Sequence, residues 1–200
     1  MNISKLQYIS DGINDDIKEV LDAGCKWIQL RIKEGELQFI EKIAIKVQTW
    51  CKNYDAVFII NDYVELAKDI NADGVHLGKT DMNVTEARNI LSDKIIGGTA
   101  NTLEDILELK KAVDYIGLGP FKFTKTKEKI SPILGLYGYR NILDNLNINV
   151  PIIAIGGIDS KDVVQLIATG ISGIAVSSSI YNSNNREEKV KEFLHYLSTV

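Results

Sequence analysis

Along the chain, short runs of β-forming apolar residues alternate with longer stretches whose apolar positions recur every three or four residues. The short runs fall at residues 6–10, 27–31, 57–60, 74–77, 95–98, 115–118, 152–155 and 173–177, and they predict eight strands. Several are apolar throughout instead of alternating, the pattern of parallel strands covered on both faces. Between them, Leu37, Ile40, Ile43, Ala44, Val47, Trp50 and Cys51 mark one helical stripe, and Val190, Phe193, Leu194 and Leu197 mark another. Asn101-x-x-Glu104 reads as a capping box after the fifth strand, and Asp159-Ser160 as a helix start after the seventh.

Strand then helix, repeated eight times, implies a parallel sheet with helical crossovers. An open doubly wound sheet and a closed barrel both satisfy that alternation. Units of similar length favour a single-domain (β/α)₈ TIM barrel spanning residues 1–200. The turn after the first strand, Ser10-Asp11-Gly12, holds one glycine where a dinucleotide-binding fold needs three. The polar stretch 182–186 is too short to divide domains.

Composition narrows the class. A chain of 200 residues, 45% hydrophobic and 25% charged, can bury a core without disulfides. The net charge of −4 argues against a nucleic-acid partner. Cys25 and Cys51 form no CxxC pair and read as reduced thiols. No signal-peptide pattern opens the chain, and no apolar stretch approaches the roughly 18 residues of a membrane span. A cytoplasmic protein without a membrane partner is expected, and a homo-oligomer is left open.

In such a barrel, chemistry sits where the strands end at their C-terminal side. The second strand runs into Gln29, Arg31 and Lys33, which share one face by period-two alternation. The third ends in Asn61-Asp62, and the fourth leads to Asp81. Asn61-Asp62 also suits a helix cap, and Asp81 a turn. Two carboxylates on adjacent strands, with diphosphate oxygens and water, are also what Mg²⁺ takes. His76 lacks an acidic partner in sequence and reads as structural. The fifth strand brings Thr99 to the mouth between glycines and Asn101. After the sixth strand, a long segment from Gly119 interleaves hydroxyls and ammonium groups, among them Thr124, Thr126 and Lys127, as an anion-binding lid would. The seventh and eighth strands end in Gly156-Gly157 and Ser177-Ser178-Ser179, where barrels often hold a phosphate.

Taken in order, these segments resemble the thiamine-phosphate synthase family. The landmarks are Gln29-Leu30-Arg31-x-Lys33, Ile59-Ile60-Asn61-Asp62, the run from Ala72 to Gly78, Asp81-Met82, Gly117-x-Gly119-Pro120, Thr124-x-Thr126-Lys127, Gly135-Leu136 and the run from Ala154 to Ile158. The resemblance implies coupling of 4-amino-5-hydroxymethyl-2-methylpyrimidine diphosphate with thiazole phosphate, giving thiamine phosphate and diphosphate. It implies Mg²⁺ at Asp62 and Asp81. It places the pyrimidine diphosphate on Gln29, Lys33, Asn61 and Lys127, with Thr124 and Thr126 closing over the substrates; Arg31 and Thr99 are further substrate-binding candidates. Gly157, Ser177 and Ser178 match the cradle of the thiazole phosphate. Lys33, Lys127 and Thr99 are the implied catalytic groups, in a dissociative reaction where diphosphate leaves before the thiazole nitrogen attacks. Thr99 stands where serine is common, Lys79 where glutamine is, and Asn101 where histidine is; the triple serine is more polar than the usual run.

Three other readings share the fold. A thiazole tautomerase would rely on a histidine after the sixth strand, where Gly119-Pro120 stands here. A phosphate-binding isomerase would need an acid–base pair that the strand ends do not offer. A non-catalytic ligand-binding barrel would not need charges gathered at the mouth.

Overall fold

The computed structural model describes residues 3–124, 132–144 and 146–199. Eight parallel strands close into a barrel in sequence order, β1 pairing with β8. They are β1 Leu6–Ser10, β2 Trp27–Leu30, β3 Val57–Asn61, β4 Gly74–Leu77, β5 Ile95–Ala100, β6 Tyr115–Leu118, β7 Ile152–Ile155 and β8 Gly173–Val176. The helices are α1 Asp16–Asp22, α2 Leu37–Asn53, α3 Val64–Asp69, α4 Val84–Leu91, α5 Leu103–Leu109, α6 Gly135–Leu143, α7 Val163–Ile167, α8 Ser178–Tyr181 and α9 Arg186–Ser198, with a 3₁₀ turn at Ser160–Asp162 leading into α7. The eight predicted runs are the eight strands, with ends shifted by a residue or two. β2 stops at Leu30 rather than Arg31, although the Arg31 N–H still bonds Ser10 O at 2.8 Å.

Alternation divides the buried apolar residues into two bodies. Leu6, Tyr8, Ile28, Leu30, Phe58, Ile60, Val75, Ile96, Ile116 and Ile174 face outward and join the helix faces in one large core. Ile9, Trp27, Ile59, Ile95, Tyr115, Ile153 and Ala175, at the alternate positions, form a smaller core inside the barrel. The continuous apolar runs of the sequence are these two faces read together. In α2 the stripe Ile40, Ala44, Val47 and Cys51 is buried, while Leu37 at its first position is 59% exposed. In α9 Val190, Phe193 and Leu197 are buried as expected.

The local caps explain where helices start. The predicted capping box after the fifth strand lies one residue later: Thr102 is the cap, and its hydroxyl accepts from the N–H of Asp105, whose carboxylate accepts from Thr102 N in return. Both registers place a small polar residue three before an acid, and the Thr102 pair is the one the strand exit brings into reach. Asp159 caps the turn before α7 as expected, in a box with Asp162. At the start of α1, Asp16 is buried, and one of its oxygens accepts from both Tyr8 Oη and Ser10 Oγ at 2.6 Å. That bond pair ties the first loop to the end of β1, and burial pushes the Tyr8 hydroxyl well above its ordinary pKa. Among the described residues, no helix is long and apolar enough to cross a membrane.

Candidate active site

The strand ends surround a cavity of about 110 Å³ lined by residues from six of the eight strand exits. Arg31, Thr99, Asn101, Thr124, Gly157, Ser177 and Ser178 supply its polar wall. Ile9, Pro120, Ile155, Ile158, Ala175 and Val176 supply its apolar wall. A wider hollow of about 450 Å³ adjoins it, sharing Ile9, Arg31 and Ser177 and adding Lys33 and Glu34.

On the β2–β4 side, charges converge. Burial lowers the Arg31 pKa, and the carboxylates of Asp62 and Asp81 act in the opposite sense. One guanidinium therefore lies within electrostatic reach of both acids. Asp62 sits just past β3 with φ +69°, a left-handed conformation that aspartate tolerates better than most residues. Its N–H bonds His76 O at 3.0 Å, which pins the β3 exit to β4. One Asp81 oxygen accepts from Gly78 N at 2.5 Å, so this residue closes the β4 turn as well as facing Arg31. Among the described residues no group of three or more His, Cys, Asp or Glu gathers as a metal centre.

Below the mouth, the barrel interior is polar where the sequence suggests only strand. Gln29 and Asn61 are buried, not at the cavity wall. Gln29 Nε2 donates to Gln7 Oε1 at 3.0 Å, and Gln7 Nε2 to Tyr115 Oη at 3.4 Å. Tyr115 Oη lies 3.0 Å from His76 Nδ1, and His76 Nε2 lies 3.0 Å from Thr99 Oγ1. The rings of His76 and Tyr115 stack at 5.4 Å, and Trp27 meets Tyr115 edge-on at 4.9 Å. Two glycines clear the space. A Cβ at Gly97 would come within 2.2 Å of the Tyr115 ring, and one at Gly117 within 3.1 Å of the His76 ring. Gln7 and Tyr115 escape sequence reading, and His76, read as structural, joins this interior to the cavity through Thr99.

On the β6–β8 side, two glycines shape the wall. Gly156 and Gly157 take φ +96° and +65°, conformations that L side chains rarely adopt. They also let the segment after β6 lie against them: Phe121 N bonds Ile155 O at 2.8 Å and Lys122 N bonds Gly156 O at 2.9 Å. The returning chain is fixed to the same place, with Leu134 N on Pro120 O at 2.9 Å and Gly135 N on Phe121 O at 3.0 Å. Thr124 stands at the described edge of this stem and lines the cavity; Thr126 and Lys127 lie outside the described residues. Lys122 pairs with Asp162 at 2.6 Å, and Lys189 of α9 with Asp159 at 2.8 Å, so salt bridges hold the loops after β6 and β7 from behind. Ser179 Oγ reaches the same Asp159 oxygen at 3.5 Å. Asn101 donates its amide to Gly119 O, joining the β5 and β6 exits, and Lys79 is held by Asp105 at 2.6 Å.

The fold thus gathers Arg31, Thr99, Thr124, Gly157, Ser177 and Ser178 at one cavity, with Lys33 beside it and Asp62 and Asp81 within electrostatic reach of Arg31. Comparison with known proteins gives the same arrangement a lineage. The profile described as Thiamine monophosphate synthase matches residues 3–180. The thiamine-phosphate synthase of Flavobacterium johnsoniae is 51% identical over 199 residues, covering 94% of this chain and 94% of the relative. That of Phocaeicola vulgatus is 49% identical over 186 residues, covering 90% and 89%. A solved thiamine phosphate pyrophosphorylase from Pyrococcus furiosus superposes with a TM-score of 0.87 at 32% identity, over 98% of this chain and 96% of that one. With its fold and nearly its whole length in common with these proteins, the chain belongs to the thiamine monophosphate synthase family.

Proposed function

We propose that this chain is a thiamine-phosphate synthase, a transferase that joins the pyrimidine methylene of 4-amino-5-hydroxymethyl-2-methylpyrimidine diphosphate to the nitrogen of thiazole phosphate and releases diphosphate. The observation that carries this reading, beyond family membership, is the meeting of two kinds of wall at one cavity. Arg31, within electrostatic reach of Asp62 and Asp81, lines one side, and the glycine–serine rim of Gly157, Ser177 and Ser178 the other. The first suits a diphosphate with a divalent cation, the second a phosphate monoester.

The acids fit Mg²⁺. Two carboxylates from adjacent strand exits, with no third His, Cys, Asp or Glu grouped with them among the described residues, suit an ion that keeps waters and takes the rest of its oxygens from a substrate diphosphate. Asp62 and Asp81 would hold it, and when bound it neutralises charge on the leaving oxygens. Arg31 and Lys33 add fixed positive charge on the same side, and Lys127 does so by resemblance. Thr99 and Thr124 present hydroxyls to the cavity. The apolar wall of Ile9, Ile155, Ile158 and Val176 limits water where a pyrimidine methylene cation would otherwise be hydrolysed. The thiazole phosphate, held at Gly157, Ser177 and Ser178, would bring its nitrogen to that carbon.

The test is incubation of the purified protein with both substrates, with and without Mg²⁺, following thiamine phosphate and diphosphate together. Equal release of both products, lost when Mg²⁺ is removed, is the expected result. Thiazole phosphate bound without any diphosphate release would overturn the reading and favour a tautomerase or a binding module.

A further inference from the structure

The hydrogen-bonded row inside the barrel has a direction. Gln29 donates to the Gln7 carbonyl, so Gln7 has its amide N–H left for Tyr115 Oη. Burial keeps that hydroxyl protonated, and the atom left to take its proton is His76 Nδ1 at 3.0 Å. A His76 ring that accepts at Nδ1 carries its own proton on Nε2, which faces Thr99 Oγ1 at 3.0 Å. Thr99 Oγ1 then accepts from the ring, and its own hydrogen is left for the cavity that Thr99 lines.

We propose that His76 is a positioning residue, locked as the Nε2–H tautomer by Tyr115 and Gln7, and that it fixes the Thr99 hydroxyl as a donor toward the cavity. The ligand atom that meets the Thr99 hydrogen is consequently an acceptor, such as a ring nitrogen or a diphosphate oxygen. This gives Gln7, an isolated polar residue of β1, a role at a distance: it sets the polarity of the row. It also removes His76 from consideration as a general base, because both ring nitrogens are engaged. The glycines at 97 and 117 fit this role, since any side chain there would displace the Tyr115 or His76 ring. Only the identity of the acceptor rests on the synthase reading; the tautomer rests on the interior geometry alone.

The chain has two histidines, so ¹⁵N-histidine labelling with long-range ¹H–¹⁵N correlation reads the tautomer directly, His195→Gln assigning the surface ring. Without substrates, His76 is expected to show a protonated Nε2 and an unprotonated Nδ1. Tyr115→Phe should abolish that fixed pattern. Gln7→Glu, whose carboxylate can only accept, should turn the Tyr115 hydroxyl away from His76 and move the ring proton to Nδ1. A native imidazolium or Nδ1–H signature overturns the proposal, as does an unchanged signature in Tyr115→Phe. At the cavity end, kcat/KM of Thr99→Val should fall about tenfold below that of Thr99→Ser, which retains a hydroxyl, the loss of one buried hydrogen bond. Equal activity of the two variants would overturn the donor role of Thr99. Because the tautomer is read without substrates, a chain that makes no thiamine phosphate can still show Nε2–H, so the two readings fail separately.

Discussion

On the β2–β5 side of the mouth the polar atoms belong to side chains: Arg31, Asp62, Asp81 and Thr99, with Lys33 in the adjoining hollow. On the β6–β8 side they belong largely to backbone, exposed by Gly156 and Gly157 and flanked by the serines after β8. The difference matches two anions of different demand. A diphosphate that leaves during reaction gains negative charge and needs mobile counter-charge that can strengthen as the bond breaks. A phosphate that only anchors a substrate needs fixed donors and a close fit, which backbone N–H groups supply without side-chain entropy. Substitutions on the first side should therefore act on turnover, and those on the second on binding of one substrate.

The largest effect is expected at the two acids. Asp62→Asn keeps a residue tolerant of φ +69° while removing the charge, so strain and electrostatics are separated. Asp62→Asn and Asp81→Ala should each lower turnover on the order of 10²-fold or more, and each should shift activity to higher Mg²⁺ concentration. Turnover measured across a Mg²⁺ titration decides the point: an unshifted curve would detach these acids from the cation. Lys127→Ala should cost on the order of 10²-fold in rate with an unshifted Mg²⁺ curve, as for loss of one charge-stabilising donor. A near-normal rate would leave that lysine as surface.

Gly157→Ala probes the other side. The new Cβ would stand 2.7 Å from Phe123 O and 2.9 Å from Lys122 Cβ, in a left-handed conformation. Strain of that kind costs on the order of 1–3 kcal/mol and pushes the stem after β6 off the rim. The KM for thiazole phosphate should rise roughly tenfold, with the KM for the pyrimidine diphosphate within about twofold. If both KM values rise together, the two sides are not separate subsites.

The same two sides differ in how well they can be read from sequence. The strands were legible because their runs are apolar on both faces, and barrel closure follows from eight equal units. Gly156-Gly157 and the triple serine were legible as residues of the cavity rim, because sites built from backbone announce themselves through glycine. Arg31, Asp62 and Asp81 were legible as candidates, but their meeting was not, since it depends on how far each side chain reaches past its strand. Gln29 and Asn61 were read as mouth residues; both side chains are buried, and that of Gln29 bonds Gln7 in the barrel interior. Gln7 and Tyr115 gave no signal at all. A glutamine in a five-residue strand faces inward only once β1 is registered between Ala175 of β8 and Ile28 and Gln29 of β2, and only then can it meet a tyrosine 108 positions away. Gly97 and Gly117 were the trace it left, small residues placed where the rings need room.

The smallest effect is expected behind the rim, where Lys189 holds Asp159, Ser160 and Glu192. The Lys189 hydrogen bond holds the Asp159 carboxyl down to about 2 from its ordinary 3.8. A depressed carboxyl stabilises the fold above its unfolded pKa and loses that contribution as pH falls through the folded one. Burial works against the Lys189 ammonium, but its bonds to Asp159 and Glu192 raise its pKa overall, so its share is lost only as the pH becomes strongly basic. The pair therefore contributes between roughly pH 4 and 10, with its acid-side loss centred between about 4 and 2. Asp159 is nearly half exposed, so solvent screening holds the contribution below about 1 kcal/mol. Lys189→Met should lower the urea midpoint slightly at pH 7 and by less at pH 3, where Asp159 begins to protonate. It should leave turnover at saturating substrate unchanged, because the salt bridge fixes the loop from outside the cavity. A gap between the native and substituted chains that stays constant from pH 7 to pH 3 would assign the effect to packing of the lysine stem on Phe193 and not to the charge pair.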